Sequence, residues 1–475
     1  MPASPPAGTL GDLAGAELQE ALGRAAEWAA AYLAGVAELP VLSATAPGQV
    51  RGLIPAAPPE AAEPLTAVLD DFERVVLPGI THWNHPRFFG YFGITGSVPG
   101  IVAELLCATL NVNAMLWRAS PAATEVEEAA CDWLRQALGL DAGLRGHIND
   151  TASTSTFYAL GAAREAAVPG ARERGVDGTR LRLYTSAEAH SSVDKAGIAL
   201  GTGLGGVVKV PVDGQLRMDP ERLRAAIRAD RRGGLVPFAV VATVGTTSTT
   251  SVDPVPAIAS ITAEEGLWLH VDAAYGGAAA VLPGHRHVLD GCEAADSVVV
   301  NPHKWLFTPI DCSVLYLRDE ARLRRAFSLV PEYLRTGEGA EVRNLMDYGT
   351  ALGRRFRGLK LWFVLRAFGL EGIRARIAAH VEMAGQLRAW IEADSDFEVL
   401  APTPFSTVVF RHREGDARNQ ALLEAVNASG HAFMSHTKVG GVIALRIAIG
   451  NIRTTPADVR STWELIRRLA AGPPP

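Results

Sequence analysis

The 475-residue chain is short of cysteine, of lysine and of long apolar runs, and each shortage removes a class of function. Its four cysteines, Cys107, Cys131, Cys292 and Cys312, lie far apart with no Cys or His nearby at metal-ligand spacing. A structural zinc and a disulfide framework are therefore not expected. No apolar stretch approaches the roughly 18 residues that span a bilayer. The opening MPASPPAG has neither the basic region nor the apolar core of a secretory leader, so a cytoplasmic protein is expected. The 45 basic residues are outnumbered by 51 acidic ones, and the densest basic run is only Arg354, Arg355, Arg357 and Lys360. Nucleic acid is not an expected partner. Lysine is scarce too: Lys195, Lys209, Lys304, Lys360 and Lys438 are the only side-chain candidates for chemistry at an amine.

What the chain does have is enough apolar material, 48% of its residues, for one large core with smaller units attached. Residues 17–35 place Leu18, Leu22, Ala26, Ala29 and Leu33 at helical spacing. The Pro- and Gly-rich stretch that follows offers this stripe little to pack against, so it is expected to dock on another subunit. From about residue 140, short β-rich runs alternate with helical stretches: 181–184, 207–212, 238–244, 267–272, 297–300 and 313–317. That alternation predicts a mostly parallel sheet with helices on both faces. Ser120-Pro121 and Asp219-Pro220 read as N-caps followed by proline at the first helical position. Beyond LGRRFRGLKLW the pattern becomes a long helix, short strands around 405–411 and 442–449, and a closing helix. The expected division is an N-terminal helical segment at 1–97, a large α/β domain at 98–358 and a small α+β domain at 359–475.

Ligands of open α/β sheets bind beyond the carboxyl ends of the strands, and polar residues gather there. His190 follows the first of these runs, Thr246 and Thr247 follow AVVATVG, Asp272 ends LWLHVD, and Asn301, His303 and Lys304 follow SVVV. A carboxylate at the end of an apolar strand needs a cationic partner, and Lys304 stands 32 residues after Asp272. One interpretation is a structural Asp–Lys ion pair. The other is a pyridoxal-phosphate site, which needs a lysine amine, a carboxylate to keep the pyridine nitrogen protonated, and donors for the phosphate. Donors are available where the Thr- and Ser-rich NDTASTSTFYALGAAREA opens a helix, although such residues are also ordinary N-caps.

The sequence resembles the group II pyridoxal-phosphate decarboxylases, and most of all their aromatic-L-amino-acid branch. The likeness runs from about residue 17 to 468 through PGITHWNHPRFFGYF, SPAATEVE, AHSSVDKAG, VATVGTTSTTSVDPV, WLHVDAAYGG, NPHKWL and LGRRFRGLKLWFVLR. It implies the fold type I architecture of pyridoxal-phosphate enzymes and a homodimer with active sites at the interface. It also implies that Lys304 forms the Schiff base, that Asp272 pairs with the pyridine nitrogen, and that Ala274 and His190 cover the two ring faces. Thr247 would lie near the cofactor oxygen and the substrate carboxylate, with Thr151, Ala152, Ser153, Asn301 and His303 around the phosphate. Tyr333 in PEYLRTGEG matches the tyrosine of the family's mobile loop. Trp83, Tyr91, Phe92 and Gly93 match the side-chain pocket, with Asn113 and Met115 supplied by the partner subunit. The chain departs from the aromatic branch at Asn84, usually His, and at Asp150, usually Gly. The activity implied is decarboxylation of an aromatic L-amino acid to its amine. A histidine or acidic substrate, oxidative deamination to an aldehyde, and a catalytically silent binding protein are the alternatives.

Overall fold

The computed structural model describes residues 12, 15–176, 178–329 and 341–472. Seven strands form the main sheet: β1 (Arg145–Asn149), β2 (Leu181–Ser186), β3 (Val207–Val210), β4 (Val236–Thr243), β5 (Trp268–Asp272), β6 (Ser297–Val300) and β7 (Ser313–Leu317). Their order is β1-β7-β6-β5-β4-β2-β3. Pairing is parallel from β3 through to β6, and β7 runs antiparallel to both β6 and β1. β4, β5 and β6 are buried almost throughout because helices cover both faces. Alternate residues serve opposite cores: Val240, Ala242, Leu269 and Val271 pack with the helices Pro121–Leu138 and Val255–Glu265. Ala239, Val241 and Trp268 pack with the helix Ala152–Ala167 on the other side. The expected mostly parallel sheet is present, and β1 is an addition to it that polar RGHIN did not announce.

A second sheet, ordered β10-β11-β9-β8 and wholly antiparallel, is built from β8 (Phe397–Val399), β9 (Thr407–His412), β10 (Ser435–Val439) and β11 (Val442–Ala448). Gly440 and Gly441, at φ 58 and 88, make the two-residue turn between β10 and β11. The helix Gly358–Glu392 leads into this sheet, but it is two helices joined at Gly369, whose φ of 60 and ψ of 170 interrupt the hydrogen-bond ladder. The closing helix Pro456–Ala471 starts with a capping box between Thr455 and Asp458.

The segment before residue 97 is fastened to the second sheet. Phe88 bridges to Phe433, and Phe89 is buried in that domain's core. In the helix Ala16–Gly35 only Ala21 is buried, and Leu18 and Leu22 are exposed. Its second half does find a partner in its own chain, since Trp28 meets Phe72 edge-on at 4.9 Å.

Candidate functional site

The carboxyl ends of β4, β5 and β6 and the N-terminus of the helix Ala152–Ala167 open on a cavity of about 180 Å³. Thr151, Ala152, Ser153, His190, Thr247, Asp272, Ala274, Asn301, His303 and Lys304 all line it, so all ten residues expected around a cofactor are brought together.

Asp272 is 6% exposed, and its Oδ1 accepts the N–H of Ala274 at 3.1 Å. Lys304 sits on the single helical turn Pro302–Trp305 that follows β6. Trp305 behind it is buried, stacks on Tyr275 at 4.9 Å and donates its indole N–H to His380 Nδ1 at 3.0 Å. Tyr275 in turn stacks on Phe92 at 4.0 Å, and the Lys304 Nζ stands 5.0 Å from the centre of the Phe92 ring. Asp272 and Lys304 line one cavity but form no ion pair within 4 Å, so the simple structural pair is not what the fold builds. Burial lowers the Lys304 ammonium from its ordinary value, Asp272 opposes that, and Arg446 adds to it.

His190 lies between β2 and the helix Ser192–Ala199, and its Nδ1 accepts the backbone N–H of Ser192 at 3.1 Å. That bond puts the imidazole proton on Nε2. Burial lowers its basicity, the Asp272 charge counteracts this, and Lys304 reinforces it. His303 is pushed down to about 3, mainly by burial and next by Lys304, so it is neutral in the folded protein.

The loop after β4 is held by its own hydroxyls. Thr246 Oγ1 accepts the N–H of Ser251 at 3.0 Å, which turns Thr246 into the loop and leaves Thr247 at the cavity. Gly245 makes this possible with φ +90, and a Cβ there would stand 3.0 Å from the nitrogen of Gly276. At the opposite wall Thr151 is the N-cap of its helix, accepting the N–H of Thr154 at 3.4 Å. The first N–H groups of the helix, at Ala152 and Ser153, have no acceptor inside it. Asp150 accepts the Thr151 N–H at 2.6 Å, and Asn84 accepts the Gly96 N–H at 3.1 Å, so both departures from the expected pattern have local structural work.

A larger chamber of about 620 Å³ adjoins the first and shares Phe92, His190, Thr247 and Lys304 with it. Trp83 and Tyr91, stacked at 5.6 Å, form one wall as expected. Asn113 and Met115 line neither chamber of this chain; Asn113 instead accepts the N–H of Arg354 at 3.0 Å. Tyr333 lies outside the described residues. The opposite wall, with Phe433 and Met434 from the segment leading into β10 and Arg446 from β11, was not foreseen. Arg446 left a signal in the sequence, a lone arginine inside the apolar strand VIALRIA.

Chemically, the arrangement offers a buried amine whose charged form is disfavoured by burial, a buried carboxylate lining the same cavity, a helix N-terminus, and an aromatic chamber opening on the same amine. The family model described as the pyridoxal-dependent decarboxylase conserved domain matches residues 47–413. The chain is 39% identical to the aromatic-L-amino-acid decarboxylase of Sus scrofa, over 94% of each protein. It is 37% identical to the phenylacetaldehyde synthase of Arabidopsis thaliana, again over 94% of each. Its fold superposes on the crystal structure of Oryza sativa TDC with PLP and tryptamine with a TM-score of 0.95 and 38% identity, covering 97% of this chain and 99% of that one.

Proposed function

The chain belongs to the pyridoxal-dependent decarboxylase family, and from that premise we propose that it uses pyridoxal phosphate to convert an aromatic L-amino acid into the corresponding amine and CO2. The observation that carries this reading is that two chambers, one polar and one aromatic, meet at Lys304.

The polar chamber fits the cofactor. Among its walls Thr243 Oγ1 and the Asn301 side-chain oxygen position are buried without a hydrogen-bond partner, as expected of groups that wait for a ligand. Thr151, Ala152, Ser153, Asn301 and His303 would hold the phosphate, Asp272 would keep a proton on the ring nitrogen, and Ala274 and His190 would cover the ring faces. Lys304 would hold the cofactor covalently. When bound, pyridoxal phosphate supplies the electron sink for the pair left on Cα as CO2 departs.

Protein side chains do the rest. Trp83, Tyr91 and Phe92 offer flat apolar surface to an aromatic side chain. His190 carries its proton on Nε2, the nitrogen not engaged by Ser192, and with Tyr333 it would supply the proton that replaces CO2 at Cα. Asn113 and Met115 would reach this chamber from a second copy of the chain. A homodimer is supported by the helix Val98–Leu110, which exposes Val98, Val102, Leu105, Leu106 and Leu110. Among the described residues no helix is long and apolar enough to cross a membrane, and we propose a cytoplasmic location.

Kinship with a phenylacetaldehyde synthase gives a second outcome some weight, namely oxidative deamination to an aldehyde. Incubating the purified protein and pyridoxal phosphate with each of the twenty amino acids, and assaying CO2, amine, aldehyde and peroxide, separates the two. Amine and CO2 from an aromatic substrate without peroxide is the expected result. CO2 released only from histidine or acidic amino acids would overturn the aromatic assignment, and aldehyde with ammonia and peroxide would establish the second outcome.

A further inference from the structure

Arg446 is a buried cation without an acid. It is 4% exposed, and among the described residues no carboxylate lies within 4 Å of it. Its Nε donates to the carbonyl of Ser248 at 3.0 Å, and its Nη1 donates to the carbonyl of Tyr91. Its Nη2 is buried with no partner. Ser248 follows Thr247 in the loop after β4, and Tyr91 belongs to the aromatic wall. Tyr91 has φ 54, a left-handed conformation that is costly for a residue with a Cβ and must be held in place from outside. The guanidinium carbon lies 4.6 Å from the centre of the Phe92 ring, the ring that Lys304 Nζ approaches to 5.0 Å.

We infer that Arg446 is a positioning residue of this site: one planar fork fixes the Thr247 loop and the aromatic wall to β11, and its uncompensated charge shares Phe92 with Lys304. This deepens the proposed role of Lys304 and rests on it. Two cations around one ring repel, so the fold favours the neutral amine at Lys304. The charged and titratable groups facing that amine are Asp272 from β5, which favours the ammonium, Arg446 from β11, which disfavours it, and the imidazoles of His190 and His303. Only the neutral amine can add to the cofactor's aldehyde, losing one water as the C=N bond forms. Arg446 thereby sets the pH at which the protein captures its cofactor.

The test uses full-length protein freed of cofactor, with pyridoxal phosphate added at a series of pH values and the Lys304-bound cofactor fixed by borohydride and counted by mass spectrometry. Arg446→Met is expected to move the midpoint of capture up by about one pH unit and to slow capture at neutral pH about tenfold. Arg446→Lys retains the charge but not the fork, so its midpoint should stay with the wild type while KM for the amino acid rises. A midpoint unchanged in Arg446→Met, or shifted equally in both variants, overturns the inference. If Arg446→Met fails to fold, Arg446→Gln takes its place with the same criteria. No fixed cofactor on Lys304 of the wild type would instead overturn the reading of Lys304 on which this one stands.

Discussion

His303 accepts the backbone N–H of Cys312 at its Nδ1, 2.9 Å away, and this bond decides which way Asn301 turns. With Nδ1 accepting, the proton is on Nε2, and the Asn301 side-chain amide 3.2 Å from Nε2 must meet it with oxygen. The NH2 group is then directed to the buried position that has no partner, where it would donate to the phosphate of the proposed cofactor. Asn301→Ala is expected to weaken pyridoxal-phosphate binding about tenfold, the worth of one hydrogen bond to a charged group. Asn301→Asp should weaken it further by adding a like charge. Equilibrium dialysis of the cofactor against each variant checks both.

Lys304→Ala is expected to leave a folded protein that binds pyridoxal phosphate reversibly, with no borohydride-fixable cofactor and no CO2 release from any amino acid. Absorbance spectra before and after dialysis, together with intact mass, report the first two. Attachment that persists at another lysine would contradict the assignment.

Tyr333→Phe removes a proposed proton donor while keeping ring volume. Cofactor content should match the wild type, amine output should fall by at least about tenfold, and aldehyde with peroxide should appear in its place. Undiminished amine formation would remove Tyr333 from the mechanism.

The His380 imidazole is 3% exposed and is pushed down to about 4, chiefly by burial. Its folded value is depressed, so the stability it contributes is full above about pH 6.5 and is lost as pH falls toward 4, where the unfolded chain takes up a proton that the folded chain refuses. The loss amounts to about 1.4 kcal/mol per pH unit inside that window. His380→Gln can still accept the Trp305 N–H and does not titrate. Its melting temperature should therefore fall less than that of the wild type between pH 7 and pH 5.

Glu127 and Arg354 form an ion pair at 3.0 Å with side chains 1% and 8% exposed, and the same carboxylate oxygen accepts the Ile148 N–H at 2.8 Å. Arg354→Leu leaves that carboxylate buried without its cation and should cost about 3–5 kcal/mol. Adding Glu127→Gln should recover part of the loss, measured as the midpoint of denaturant unfolding.

Legibility in the sequence followed how local the signal was. The inner strands β4, β5 and β6 are runs of β-branched and apolar residues that are buried on both sides, and such runs declare themselves. β1 does not, because His147 and Asn149 are polar residues whose strand conformation comes from pairing with β7. The break at Gly369 was hidden because one glycine within a helical pattern is ordinarily tolerated. The polar chamber was readable because its residues sit at the ends of strands. The far wall of the aromatic chamber was not, since Arg446 arrives from β11 and Phe433 from the segment before β10, through tertiary packing that has no local pattern.

Gly245 and Gly276 lie backbone against backbone, and a Cβ on Gly276 would stand 2.5 Å from the carbonyl oxygen of Val244. The loop bearing Thr247 and the turn that follows Asp272 are therefore packed against each other with no room for a side chain between them. For directed evolution this divides the protein in two. Libraries at Trp83, Tyr91 and Phe433 can reshape what the aromatic chamber admits, whereas a side chain introduced at either glycine would displace the Thr247 loop and the turn after Asp272 together and is expected to lower every activity of the site.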